Sequence, residues 1–76
     1  MNKARRKKLQ ELMKQLESIK DELNEVQEEE QDAYDNLPEN LQYSERGQQM
    51  EQAVENMSSA ADYLDDIISC IEEAME

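Results

Sequence analysis

The sequence predicts an all-α fold, an antiparallel two-helix hairpin of coiled-coil type. Three observations carry that expectation. The only proline and the only glycine of the 76 residues both fall in one short run, Asn36 to Gly47. On either side of it, apolar residues recur at alternating intervals of three and four, the period of a helical seam. Phe and Trp are absent and Leu, Ile, Met and Ala supply most of the apolar content, which suits helix packing rather than a sheet.

The first helix is expected over about residues 3–36. Its stripe runs Leu9, Leu12, Leu16, Ile19, Leu23, Val26, Ala33 and Leu37. With Leu9 as heptad position a, Leu16, Leu23 and Leu37 share a, and Leu12, Ile19, Val26 and Ala33 occupy d. Glu30 alone interrupts the pattern, at an a site.

The turn is expected at about 37–44. Pro38 disfavours helical geometry in the residue before it and has no N–H to donate. Pro38 to Leu41 has room for a single helical turn. Ser44 is placed to cap the second helix through its hydroxyl, with Glu45 adding a favourable charge at that positive end. Gly47, inside the first turns where glycine is intrinsically unfavourable, implies close approach of another backbone or of Tyr43.

The second helix is expected over about 45–75, with Met50, Met57, Leu64 and Ile71 at a and Ala53, Ala60, Ile67 and Ala74 at d. Val54, Ala61, Ile68 and Met75 follow at e. Three apolar positions per heptad exceed what a two-stranded seam requires. The e row is therefore expected at a homodimer interface that closes a four-helix bundle. Facing a against d, the best register pairs residues whose numbers add to 83, such as Leu12 with Ile71 and Ile19 with Leu64. In that register Arg46 is expected to fold over the seam toward Glu30, Asp35 or Glu39, fixing the register at the turn together with Glu30 and Gly47.

Net charge is −12, unevenly spread. Residues 1 to 8 hold five of the eight basic side chains, whereas residues 21 to 76 hold eighteen acids against one base, Arg46. The tip Lys3, Arg5, Arg6, Lys7 and Lys8 resembles a nucleic-acid arm, but the acidic body repels the same ligand and direct nucleic-acid binding is not expected. The acids of the second helix all fall at b, c or f and form one outward stripe. Within it Glu51, Glu55, Asp62, Asp65, Asp66, Glu72 and Glu73 are the expected contacts of a protein partner with a basic groove. Residues 21 to 76 carry seventeen net negative charges, roughly one per 3 Å along a rod of about 48 Å, against about one per 1.7 Å in duplex DNA.

Other chemistry is poorly supplied. There is no histidine and one cysteine, Cys70, so a Cys/His metal site and an internal disulfide are excluded. No cofactor is expected and no enzyme, since a slender hairpin offers no dry pocket for shifted carboxylates. The basic start lacks the apolar core of a secretory signal, and no run approaches the about 20 apolar residues of a membrane span. A cytoplasmic location without membrane contact is the expectation.

The run Glu28 to Met57, EEEQDAYDNLPENLQYSERGQQMEQAVENM, resembles small uncharacterised acidic helical-hairpin proteins of Gram-positive bacteria, their phages and mobile elements. Leu37, Pro38, Leu41, Ser44, Glu45, Arg46 and Gly47 carry the likeness, which covers less than half of the chain. It implies the hairpin and brings no established activity. By analogy with such origins, the leading expectation is a non-enzymatic inhibitor that mimics nucleic acid and blocks a DNA- or RNA-binding host-defence protein, such as a CRISPR effector. The alternative is an assembly hairpin that binds a partner through the apolar row of the second helix.

Overall fold

The computed structural model describes all 76 residues and contains three helices and no strand. Helix α1 spans Lys3–Asp35, α2 is the single turn Glu39–Gln42, and α3 spans Glu45–Ala74. Helices α1 and α3 pack antiparallel along a rod of 58 × 15 × 12 Å.

Capping fixes where each long helix starts. The Asn2 side-chain oxygen accepts from the Arg5 N–H at 2.8 Å, and the Ser44 hydroxyl oxygen accepts from the Gly47 N–H at 3.2 Å. Each satisfies one of the donors that a helix N-terminus leaves unpaired. The Ser44 hydroxyl in turn donates to the Leu41 carbonyl, tying α3 to α2.

The bend is braced from inside. The Gln42 side-chain amide reaches the carbonyls of Tyr34 and Leu37, both at 3.4 Å. Gly47 is one of only two buried residues of the chain. A Cβ there would lie 2.2 Å from the Gln42 carbonyl oxygen and 2.7 Å from that of Leu41. Its φ is not positive, so space, not backbone conformation, requires glycine: the backbone of α2 crosses where a side chain would start.

The seam is turned relative to the expectation. On α1 the half-buried residues are Leu9, Met13, Leu16, Lys20, Leu23, Asn24, Gln27, Glu30, Tyr34 and Leu37. Apart from Asn24, these are the a and e positions. The d residues Leu12, Ile19 and Val26 remain 36%, 51% and 52% exposed. On α3 the covered face is broader: Ala61 is buried and Val54, Ile68 and Met75 at e are half-buried, together with Met50, Met57, Leu64 and Ile71 at a and Ala53 and Ala60 at d, while Ile67 at d is 45% exposed.

The row Val54, Ala61, Ile68 and Met75, expected at a dimer contact, is already partly or wholly covered inside one hairpin. Ala53, Ala60 and Ala61 are the small residues of the covered face of α3, and helices approach closely where side chains are small, while the space at Gly47 is taken by the backbone of α2. The cost is a half-polar seam, with Lys20, Gln27 and Glu30 set among leucines and methionines.

Register is shown by two side-chain pairs that cross the seam. Lys20 pairs with Asp65 and Tyr34 with Glu51. Both pairs have numbers adding to 85 rather than 83, a slip of two residues, so that Leu23 and Leu16 lie within one residue of the levels of Ala61 and Ile68.

Candidate interaction surfaces

A hairpin whose a and e positions face inward presents two unlike sides. In an antiparallel pair, equivalent heptad positions of the two helices fall on the same side, because a two-fold axis perpendicular to the pair exchanges them. Positions b and f lie on one side and d on the other. The first side is polar and acidic; the second carries the apolar d rows, with Glu22 and Glu29 at g on its margin.

On the polar side, all seven stripe acids, Glu51, Glu55, Asp62, Asp65, Asp66, Glu72 and Glu73, are exposed. They differ in what they meet. Asp65 forms the only ion pair of the molecule, with Lys20. That contact holds the Lys20 ammonium above its ordinary pKa of 10.5, through the hydrogen bond to Asp65 first, with the nearby charges of Asp21 and Asp62 adding to it. Glu51 accepts from the Tyr34 hydroxyl at 2.7 Å, and this hydrogen bond, which only the protonated phenol can donate, pushes the phenol above 10.0, with desolvation and then the Glu51 charge adding to it.

Thus Glu51 and Asp65 have partners within the hairpin, whereas Glu55, Asp62, Asp66, Glu72 and Glu73 have neither an ion pair nor a side-chain hydrogen bond. The α1 acids Glu17, Asp21 and Glu28 share this side, at b and f. They widen the acidic surface beyond the stripe of α3. Their heptad positions could have shown this from sequence, but only once the seam was known to use e rather than d.

Tyr34 and Glu51, with Gln31, Val54 and Glu55, line an open groove of about 210 Å³. Nowhere do three carboxylates or thiols converge on a point that could hold an ion. Cys70 is an exposed free thiol. No helix is long and apolar enough to cross a membrane.

At the bend, the expected contact of Arg46 with Glu30, Asp35 or Glu39 does not form. Arg46 is exposed and Glu30 is half-buried. The reason is local: α3 begins at Glu45, so Arg46 projects from its first turn, while the Gln42 amide already occupies the inside of the bend. Tyr43, also singled out by its place in the turn, is 76% exposed.

The apolar side carries Leu12, Ile19, Val26 and Ala33 from α1 and Ala53, Ala60, Ile67 and Ala74 from α3. Leu12, Ile19, Val26 and Ile67 are exposed there, whereas Ala53 and Ala60 are half-buried within the hairpin. Comparison with family models, curated proteins and solved structures finds no match to this chain.

Proposed function

We propose that this chain is a non-enzymatic interaction protein whose acidic side docks in the basic nucleic-acid channel of another protein, with a host-defence nuclease such as a CRISPR effector as the target class. The observation that supports this reading is the exposed stripe. The five acids of the stripe that have no partner, Glu55, Asp62, Asp66, Glu72 and Glu73, all stand exposed along one helix of a rod 58 Å long. A basic channel attracts such a rod over long range and gains speed of association more than raw affinity.

Self-association completes the reading. One chain carries −12 over 58 Å, about one charge per 5 Å. Two chains side by side approach one per 2.4 Å, much nearer the about 1.7 Å of duplex DNA.

The test uses immobilised full-length protein and lysate from a Gram-positive host. Target capture is expected to fall steeply between about 50 and 500 mM salt, and the captured protein is expected to release its bound DNA or RNA as the hairpin is added. A variant with Glu55, Asp62, Asp66 and Glu73 all changed to Lys loses capture while keeping its helical circular dichroism. Capture that survives both high salt and this charge reversal refutes the acidic-side reading. It would instead favour an assembly hairpin, for which the exposed apolar side is the supporting observation.

A further inference from the structure

We infer that the apolar side is a self-complementary surface that takes a second copy of this chain, antiparallel to the first, about a two-fold axis crossing the middle of the rod. The inference rests on the self-association in the reading above, and not on the acidic target.

Four features point to a second copy. The first is the absence of a core: two buried residues in 76 leave the hairpin with little that is sealed from water, so a cover for the apolar side is required for stability. The second is extent. The exposed Leu12, Ile19, Val26 and Ile67 are spread along the 58 Å rod, so a second hairpin laid lengthwise meets them together, as no short segment would.

The third is the match of the rows to themselves. An axis level with the middle of the α1 row sets Leu12 on Ala33 of the partner copy and Ile19 on Val26 of the partner copy. An axis level with the middle of the α3 row sets Ala60 on Ile67 and Ala53 on Ala74 in the same manner. The first midpoint lies between Glu22 and Leu23, the second between Tyr63 and Leu64. The register given by Lys20–Asp65 and Tyr34–Glu51 brings these midpoints to within about one residue, roughly 1.5 Å along the rod. One axis therefore serves both rows, and each large residue meets a smaller or branched one.

The fourth is charge, which selects the direction. From Glu25 to Glu51 there are nine acids and one base, while the opposite end gathers five bases in Lys3 to Lys8 against Glu11, Glu72, Glu73 and Glu76. An antiparallel pair sets each basic tip beside the acidic bend of the other copy. The alternative, with both bends at one end, puts the two most acidic regions together. Helix α1 itself asks for the first arrangement: it has no acid in its first turn and no base in its last, the reverse of what its dipole favours. A partner running the other way supplies acids to the one end and bases to the other. The axis also brings Glu22 close to its own copy, a like-charge contact that weakens the pair.

Sedimentation equilibrium of the full chain, from 1 to 100 µM at low salt, is expected to give twice the chain mass; a monomer at 100 µM overturns the inference. Changing Ile19 and Val26 to Glu together is expected to weaken the dimer at least tenfold, and Glu22→Gln to tighten it severalfold. A double variant that still dimerises as wild type does, or a Glu22→Gln that weakens the dimer, places the contact elsewhere and overturns it.

Direction is read without disturbing the apolar side. A chain with Cys70→Ser and Asn40→Cys, spin-labelled at the bend, is expected to give an inter-label distance of about 50–60 Å across the dimer, set by the rod length. A distance below about 25 Å means that the bends lie together and refutes the antiparallel pair. The dimer mass is expected to persist in the Glu55, Asp62, Asp66 and Glu73 charge-reversal variant, so loss of target binding with the dimer intact separates failure of the acidic-side reading from failure of this one.

Discussion

Lys20 on α1 reaches across the seam to Asp65 on α3, and this is the only ion pair between the two long helices. It exists because the seam is turned to use position e, which brings the Lys20 stem among apolar neighbours and its ammonium to the rim. A lysine at such a site holds register by reaching one carboxylate and no other. Its apolar contribution is smaller than that of a leucine in the same place.

Lys20→Leu should therefore raise the midpoint of thermal unfolding by about 4–8 °C, with a looser register visible as extra amide resonances around Asp65. An unchanged or lowered midpoint would show that the ion pair outweighs leucine burial.

Gly47→Ala sets two effects against each other. Alanine is favoured over glycine inside a helix by about 1 kcal/mol, whereas a Cβ lying 2.2 Å from the Gln42 carbonyl oxygen forces the backbone of α2 to move, at about 1–3 kcal/mol or more. The clash is with backbone, which cannot swing aside as a long side chain does. The urea midpoint is expected to fall, and a rise would show that α2 gives way freely.

Ser44→Ala removes the oxygen that accepts from the Gly47 N–H. The expected loss is about 1 kcal/mol, with faster hydrogen exchange at the Gly47 amide as its local signature.

The Tyr34 phenol is raised above 10.0 by Glu51. A group whose folded pKa exceeds its unfolded value contributes stability that is fully present below the unfolded value and lost as pH rises through the folded one. The Tyr34–Glu51 contribution is thus constant through neutral pH and disappears in the alkaline range, in the same direction as that of Lys20. In a chain with Tyr43 and Tyr63 changed to Phe, absorbance titration should place Tyr34 above 10.0, and adding Glu51→Gln should lower it.

Arg46→Ala should leave stability within about 0.5 kcal/mol, since Arg46 is exposed and forms no ion pair. A larger loss would mean that Arg46 holds the bend in solution.

The hairpin was legible in the sequence because Pro38 and Gly47 punctuate it and because a three-and-four spacing has one helical meaning. Rotation about each helix axis was not legible. On α1, position d offers Leu12, Ile19 and Val26 while e offers Lys20 and Gln27, so hydrophobicity alone selects d. What decides is how the two long helices pack on one another, with Ala53, Ala60 and Ala61 of α3 all covered, a property of the pair and not of either stripe. The acids of α3 stand outward under either rotation. Their separation from the apolar side, and the sharing of that acidic side with α1, depend on the rotation and emerged only with it.

The braces of this molecule are crowded at one end. Gln42 binding two carbonyls, the Ser44 cap, the Gly47 crossing and the Tyr34–Glu51 bond all lie at or near the bend, whereas Leu9 and Met75 close the other end only as half-buried side chains. The rod thus has a hinge and a mouth. Opening starts at the mouth, between the basic tip and the last turn of α3, and travels toward Tyr34, so a third helix seeking to enter this seam has one direction from which to come.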